Sequence, residues 1–537
     1  METTGAKHVE DSASAWSPLR LPVFRALWIA SVASNIGTWM HEVADGWLMT
    51  TLTPSSLFVA LLQSAEAFPI FLLALPSGAL ADVVDRRRLL LGTQAFMLAV
   101  AALLGVITLM GSMTPALLLA LTMAMGVGVA LNMPAWQALT PELVGGKELP
   151  AAVALGGVGI NLARVAGPAI GGLLVAVVGP GYVFLLNAAS FIGVIVVLYR
   201  WKRVPVSSSL PAEDMLGAIR AGMRYVRYSP RFRGVLMRTG LVIFCSSALW
   251  ALLPVVARRE LRVGSTGYGV MLGCLGTGAV LAANVLPRLR RRFSADILTS
   301  GAVVLMAGAF LVLANARIFG VVLGAMLVAG LAHMTLLSTS NVAAQQAVAE
   351  WVRARSLAVY LLVFQAAMAL GGFVWGTLAG RVSVPVAFTV AAVGLVAGLL
   401  IVPRYRLAAE KPDLSPSRHW PVPVVVGDVQ HNDGPVLVII EYRINPQQRS
   451  EFSNAMKRLR RARLRDGAIR WGFYRDLADE TRYIETFVVE SWAEHLRQHD
   501  RTTFADKEIE KTVLAYHQGA EPPRVKHLVS AASDLLL

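Results

Sequence analysis

The sequence predicts an all-α polytopic membrane protein of twelve transmembrane helices that carries a C-terminal α+β soluble domain of ferredoxin-like order. Three observations lead there. A dozen apolar stretches lie between Leu21 and Pro403, each near the roughly 20 residues that a helix needs to cross a bilayer. The composition is 55% hydrophobic and 15% charged, with mean hydropathy +0.57, whereas an ordinary soluble domain is roughly 25% charged. After Pro403 the apolar stretches stop and strand and helix patterns of a soluble domain begin.

The expected spans are 24–48, 56–80, 89–111, 116–140, 150–177, 182–198, 235–256, 267–287, 296–314, 318–345, 357–380 and 384–403. In hydrocarbon each backbone amide needs a partner within the chain, so serial stretches of this length form a helical bundle. The net charge of +15 is a topology signal and no nucleic-acid footprint. With the N-terminus in the cytoplasm, the inside loops hold Arg86 to Arg88, Lys147, nine basic residues from Arg200 to Arg238, four from Arg288 to Arg292, and Arg353 with Arg355. The outside loops hold Arg258, Arg259, Arg262, Arg317 and Arg381 alone, so both termini are placed inside by the excess of Lys and Arg there. Residues 1–20 are polar and acidic and read as a cytoplasmic tail without a signal peptide. Cys245 and Cys274 fall in apolar spans and carry no metal-ligand spacing.

The chain divides into a tail (1–20), a six-helix bundle (21–200), a central cytoplasmic loop (201–233), a second six-helix bundle (234–403), a linker (404–434) and a soluble domain (435–530). In the central loop Met215, Ile219, Met223 and Val226 recur at helical spacing beside Arg220, Arg224 and Arg227. This is an amphipathic helix, lying along the membrane surface or packed on the soluble domain. The halves repeat faintly. At an offset of 208, Gln137, Glu142, Val144, Lys147 and Leu149 correspond to Gln345, Glu350, Val352, Arg355 and Leu357, each set at the end of the fourth span of its half. The linker is rich in Pro, Ser and charge. Then PVLVIIEYRI, a helix over 447–464, IRWGFYRD, RYIETFVVESW, a helix over 493–516 and RVKHLVS follow in β-α-β-β-α-β order.

The segment GALADVVDRRRLLLG, at the inner end of the second span, resembles the loop signature of the major facilitator superfamily through Gly78, Asp82, Arg86, Arg87 and Arg88, with Val83 and Asp85 as departures. Gly78 would let helices approach closely, and Asp82 would accept from basic side chains or helix N-termini when an inner gate shuts. Gly167, Pro168, Gly171 and Gly172 in NLARVAGPAIGG resemble the fifth-helix motif of that superfamily's exporters, with Ala154 and Ala163 in place of two glycines. Together with SNIGTWMHEVADGWLMTTLTPS, LNMPAWQALTPELV and ESWAEHLRQHD, these motifs resemble the transmembrane secretion effector branch, the enterobactin-exporter-like proteins. The resemblance implies a six-plus-six major facilitator fold, a bacterial inner membrane, alternating access and proton-coupled efflux of a small amphipathic molecule, siderophore or drug-like. The basic residue that many exporters place in the fourth span is missing.

Ionisable groups at membrane depth mark a pathway by default. Gln63 and Glu66 lie mid-second span, Asn161 and Arg164 mid-fifth, His333 mid-tenth and Gln365 inside the eleventh, while Glu42 and Asp45 sit nearer the outer surface. Glu66 suits proton loading, with Arg164 as its counter-charge or as an anchor for an anionic ligand; a fixed structural ion pair and a packing histidine are the bland readings. The partners expected are a small-molecule substrate, protons and the bilayer, with no cofactor and no metal. The soluble domain resembles the antibiotic-biosynthesis-monooxygenase type, which leaves an enzyme fused to a transporter as an alternative beside an importer or sensor. A regulatory or self-associating module is the preferred reading. His495 and His499, four apart on a helix, read as solvated surface residues.

Overall fold

The structure is a computed structural model that describes residues 16–144, 148–201, 215–401, 413–421, 423 and 429–531. Twelve helices occupy the expected stretches: α1 (Pro22–Leu52), α2 (Ser56–Val83), α3 (Arg86–Leu109), α4 (Pro115–Leu143), α5 (Leu149–Val178) and α6 (Pro180–Arg200), then, after α7 (Met215–Tyr228), α8 (Pro230–Val255), α9 (Ser265–Leu289), α10 (Ala295–Asn315), α11 (Phe319–Gln346), α12 (Arg353–Arg381) and α13 (Val384–Gly398). Ten segments, α2 to α6 and α8 to α12, are long and apolar enough to cross a bilayer. The apolar α13 is shorter, and the 31-residue α1 is diluted by His41, Glu42 and Asp45. Short polar side chains begin several helices, as when Asp85 accepts from the Arg88 amide at 2.9 Å and Thr114 from the Leu117 amide at 3.2 Å. Asp85 replaces the signature's second glycine because it is the N-cap of α3.

The chain forms two compact units, one of Met1–Ser209, Arg238–Thr339 and Leu361–Pro403, the other of Leu210–Met237, Ser340–Tyr360 and Arg404–Leu537. In the first unit α1 packs on α5 and α6, α2 on α4, and α3 on α6, while α10 packs on α13. The halves meet where α5 crosses α9. A Cβ at Gly172 would lie 2.6 Å from Ser265 O and 2.8 Å from Gly269 Cα, and one at Gly276 would lie 2.8 Å from Arg164 O. On the opposite side of α5, a Cβ at Gly167 would sit 2.5 Å from Trp39 Cβ and one at Gly171 2.8 Å from Met40 Cα. The motif thus serves two seams, α1 on one side and α9 on the other. Gly78 differs from expectation. A Cβ there would meet nothing within 4 Å, so no close helix approach depends on it in this conformation.

In the second unit β1 (Val436–Arg443), α14 (Arg449–Asp466), β2 (Arg470–Arg475), β3 (Arg482–Val489), α15 (Trp492–Arg501), α16 (Phe504–Leu514) and β4 (Arg524–Val529) build an antiparallel sheet of order β2-β3-β1-β4. Its inner face alternates as a half-buried sheet must: Val438 opposes Phe487, Ile440 opposes Glu485 and Tyr442 opposes Tyr483, all buried beneath Phe452 and Leu459 of α14. The single helix expected over 493–516 is two, because Thr503 breaks it and caps α16 in a reciprocal capping box with Asp506. The stretch Asp413–Pro421 of the expected linker is bonded to this domain, with the Ser417 amide donating to Thr502 O at 2.9 Å and Trp420 Nε1 to Glu510 Oε2 at 2.9 Å. The rest of 402–412 and most of 422–428 lie outside the described residues.

Helix α7 packs on α14 and on the 3-10 turn Glu350–Val352 between α11 and α12. Its buried Tyr225 hydroxyl donates to Ala347 O and accepts from the Ala349 amide, both at 3.2 Å. Arg224 meets Glu494 at 3.2 Å, and Arg501 bonds Glu494 while stacking 4.6 Å from the Trp351 ring centre. The side chains of Met215 and Ile219 lie outside the described residues. Met223 is 63% exposed, so the face of α7 used inside this unit is the one carrying Gly222 and Tyr225.

One consequence is open to measurement. Gly172→Val places a branched side chain against Gly269 Cα and Ser265 O, and overpacking of this kind is expected to destabilise by about 1–3 kcal/mol. Thermal unfolding of the purified protein should show a lower midpoint for Gly172→Val than for Gly156→Val, whose Cβ meets nothing within 4 Å. Equal midpoints would remove the α5–α9 contact from any structural role.

Candidate functional site

A cavity of about 360 Å³ lies within the membrane unit. Its wall comes from α1, α2, α4 and α5 of the first half and α8, α9, α11 and α12 of the second, the first, second, fourth and fifth helices of each. The 208-residue repeat is therefore reflected in which helices face inward. Helices α3, α6, α10 and α13, absent from the wall, pair with one another instead.

The structure brings Glu42, Asp45, Gln63, Glu66, Arg164, His333 and Gln365 to one cavity. Asn161, one turn before Arg164, does not line it. Glu42 and Asp45, expected nearer the outer surface, stand on the same wall as Glu66. One correction follows. Glu66 and Arg164 are not an ion pair: among the described residues no carboxylate lies within 4.0 Å of Arg164, whose guanidinium instead sits 5.6 Å from the Trp39 ring centre.

Residues that the sequence reading passed over complete the site. His41 Nε2 lies 3.2 Å from Asp45 Oδ2, and His41 Nδ1 is 3.2 Å from Asn187 Nδ2. Thr122 donates to Asp45 Oδ2 at 3.4 Å. Trp39 and Trp250 face each other at 6.2 Å, Trp250 meets His333 edge-on at 5.9 Å, and Tyr268 lines the same wall. The i, i+4 spacing of His41 and Asp45 in MHEVADGW was the available signal; the aromatics had none, since Trp is common in any apolar helix. Asp45 Oδ1 and Gln63 Oε1 are buried without a hydrogen-bond partner among the described residues, which leaves both acceptors for a cavity occupant.

One end of the cavity is closed. Ser64 donates to Ala369 O at 2.7 Å, Gln63 Nε2 reaches Met368 Sδ at 3.2 Å, and Arg259 donates to Ser56 Oγ and Thr53 O, each at 3.3 Å. The tight α5–α9 contacts, at residues 164–172 and 265–276, lie toward this same end. Gly156 and Gly157, toward the other end of α5, have nothing within 4 Å of a built Cβ.

At that other end the three signature arginines divide the work. Arg86 pairs with Glu142 of α4 at 2.7 Å. Arg87 donates to the last carbonyls of α6, Leu198 O at 2.8 Å and Tyr199 O at 2.5 Å, where a cation complements the helix dipole. Arg88 is exposed. The side chain of Asp82 and the whole of Lys147 lie outside the described residues.

The family model for transmembrane secretion effectors matches residues 13–535. The chain belongs to the transmembrane secretion effector family. Among relatives of this secretion effector, the staphyloferrin A transporter of Staphylococcus aureus is 25% identical over 47% of the chain, and the enterobactin exporter EntS of Salmonella typhi 28% identical over 49%. The chain spans just under two thirds of those relatives, 64% and 63% of their lengths. In fold it is similar to nucleoside transporter NupG (TM-score 0.59, 13% identity, 71% of this chain and 99% of that one). It is likewise similar to a bacterial homologue of iron transporter ferroportin in the inward-facing state (TM-score 0.58, 16% identity, 73% and 99%). The chain therefore has the major facilitator fold with a C-terminal α+β domain.

The soluble domain of this secretion effector corrects one further expectation. His495 is buried and its Nε2 lies 3.3 Å from His499 Nε2, with the His527 ring 4.8 Å from His495. His495 is a core imidazole, and His499 is half-buried against it, so neither is a freely solvated surface residue. Among the described residues no group of His, Cys, Asp and Glu is arranged to hold a metal ion. Beside them Arg463 bonds Glu485 at 3.2 Å and Glu510 at 2.7 Å, sandwiched between Trp420 and Phe487. Burial opposes ionisation of Glu510, yet Arg463 with the His419 and Trp420 hydrogen bonds outweighs it and holds the carboxyl down to about 2.

Burial, then His499 and His527, holds His495 neutral down to about pH 3, and burial with His527 holds His499 neutral to about 4. Both lie below the roughly 6.5 of a free imidazole, so on acidification the unfolded domain takes up protons that the folded one refuses. The stability they contribute is complete above about pH 6.5 and declines as pH falls toward 4. Hydrogen exchange of residues 492–501 in the full chain, corrected for intrinsic rates, should accelerate between pH 7 and 5, and less so in His495→Gln. A flat profile in the native protein would mean that the imidazoles ionise freely.

Proposed function

We propose that the protein is a secondary active exporter that couples proton entry to efflux of a small amphipathic molecule by alternating access. The observation that carries this reading is the cavity itself. It lies between two repeated halves, is shut at one end by α2–α12 and α5–α9 contacts, and holds three carboxylates and one arginine at membrane depth. The excess of Lys and Arg in the loops at the α2–α3 end supports an orientation in which that end and both termini face the cytoplasm across a bacterial inner membrane. The closed end then faces outward and the cavity is loaded from within.

The chemistry follows from the charges. Glu42, Asp45 and Glu66 share a confined wall with Arg164, and a proton taken up among the three relieves their mutual repulsion. Substrate that contacts Arg164 or the acceptors of Asp45 and Gln63 competes for the interactions that the carboxylates make. Binding of substrate and binding of protons are thereby opposed, and that reciprocity is what exchange requires. Trp39, Trp250 and Tyr268 supply flat apolar walls for the body of the ligand. The siderophore relatives, a staphyloferrin A transporter and an enterobactin exporter, support a substrate of that size and mixed character. In the soluble domain the buried carboxylates are engaged by arginine and by Trp and Tyr donors, which supports a regulatory module over a catalytic one.

Inside-out vesicles carrying the protein should accumulate amphipathic substrate when a proton gradient is imposed and release the effect with a protonophore. Glu66→Gln is expected to abolish gradient-driven accumulation while retaining substrate binding across pH. Uphill transport by that variant would make Glu66 structural and shift coupling to Glu42 and Asp45.

Asp82, in the last turn of α2, is assigned to the inner gate and not to the cavity. Removing one charge-assisted contact is worth about 1.5–3 kcal/mol, enough to shift the inward–outward balance roughly tenfold or more. Asp82→Asn should therefore slow transport about tenfold with little change in substrate affinity; a parallel loss of both would place Asp82 in the binding site.

A further inference from the structure

The second unit contains a basic pocket that the transport cycle does not use. It measures about 260 Å³ and is formed where the first residues of α8 meet α7, α14 and α16. Arg231 of α8 and Arg458, Arg461 and Arg465 of α14 line it. Asp506 also faces it, but Arg465 engages that carboxylate at 2.7 Å and Asp466 at 2.7 Å as well. Arg458 and Arg461 are different. They stand one turn apart and exposed on α14, and among the described residues no carboxylate is within 4.0 Å of either. Two unpaired guanidiniums at i, i+3 spacing present forked donors to a single anion, a geometry that matches phosphate. The start of α8, Ser229 to Arg231, lies on the same wall, with Ser229 Oγ capping the helix by accepting from the Phe232 amide at 3.4 Å, so the positive end of that helix adds to the field.

The place of the pocket in the chain selects the anion. Helix α8 begins at Pro230, on the pocket wall, and runs without a break into an apolar segment long enough to cross a bilayer. Met237, two turns along, is 48% exposed, as an acyl-chain contact must be, and Met223 of α7 is exposed as well. A phosphate seated between Arg458, Arg461 and the start of α8 would hang its chains along α8. We propose that this pocket binds the phosphate of an anionic phospholipid headgroup. The same donors would accept a soluble phosphate ester, so the test must separate the two sources.

Full-length protein in nanodiscs of phosphatidylcholine is titrated with fluorescent phosphatidylglycerol, and retained lipid is counted by native mass spectrometry. The native protein should bind the anionic lipid saturably and retain it. The double variant Arg458→Gln, Arg461→Gln should lose affinity roughly tenfold, since each forked charge-assisted contact is lost. A charge-matched control, Arg449→Gln with Lys457→Gln, alters exposed basic residues of α14 that do not line the pocket and should bind as the native protein does. All three proteins should share one thermal midpoint in phosphatidylcholine alone, because the substituted side chains are exposed. Equal loss in the control pair would reduce the effect to general surface charge and overturn the proposal. Unchanged binding in the pocket variant would do the same, as would protection by inorganic phosphate or pyrophosphate in detergent without saturable lipid binding.

Discussion

The membrane unit depends on how closely α5 can approach α9. Lipid chains give two helices no hydrophobic reason to associate, so their contact rests on packing, and packing at backbone distance requires residues without bulk. Gly172 against Gly269 and Arg164 O against Gly276 satisfy that requirement. The same helix turns Gly167 and Gly171 to α1. Because α1 and α9 are both held by α5, the cavity residues of α1 are carried to the boundary of the halves, and Arg164 lines the cavity at that boundary and is not lost in the first bundle.

The repeated halves share this architecture in the membrane and diverge in their loops. At the end of α4, Glu142 is paired with Arg86 of the α2–α3 signature. Its repeat partner Glu350 begins the 3-10 turn after α11, where the chain belongs to the second unit. There Tyr225 satisfies two backbone groups at 347 and 349, and Arg501 covers Trp351. An ion pair within the bundle in one half thus corresponds, in the other, to a turn that packs inside the second unit.

The soluble domain is specified by buried charge as much as by its apolar face. Glu485 is fully buried on β3 and is met by Arg463, Trp471 and Tyr442, while Glu510 takes Arg463, His419 and Trp420. Leaving any one of these unpaired would cost more than the pair returns, which ties the linker strand at 413–421 to a single seat. Neutral histidines fill the adjoining space because burial there disfavours the imidazolium form, and the His527 ring beside them adds to that effect.

Much of the fold was legible in the sequence. Spans of about twenty apolar residues, loop charge and period-two strands are local properties, and local spacing decides them. The helix break at Thr503 was missed because the apolar period continues across it and only the capping box with Asp506 marks it. The small-residue motif of α5 was visible, yet the partners of Gly172 and Gly276 were not, since nothing in either helix names the other. Glu42, Asp45 and Glu66 could each be recognised as ionisable groups in apolar surroundings. That they share one wall, that Arg164 sits over Trp39, and that His41 belongs with Asp45 and Asn187 was settled by the crossing of helices distant in sequence. The buried position of His495 and the half-buried one of His499 were decided in the same way, by β4 bringing His527 and the linker bringing Trp420 against them. Sequence determines what each segment can be; only tertiary structure decides which charges and surfaces meet, because those distances are set by packing between elements hundreds of residues apart.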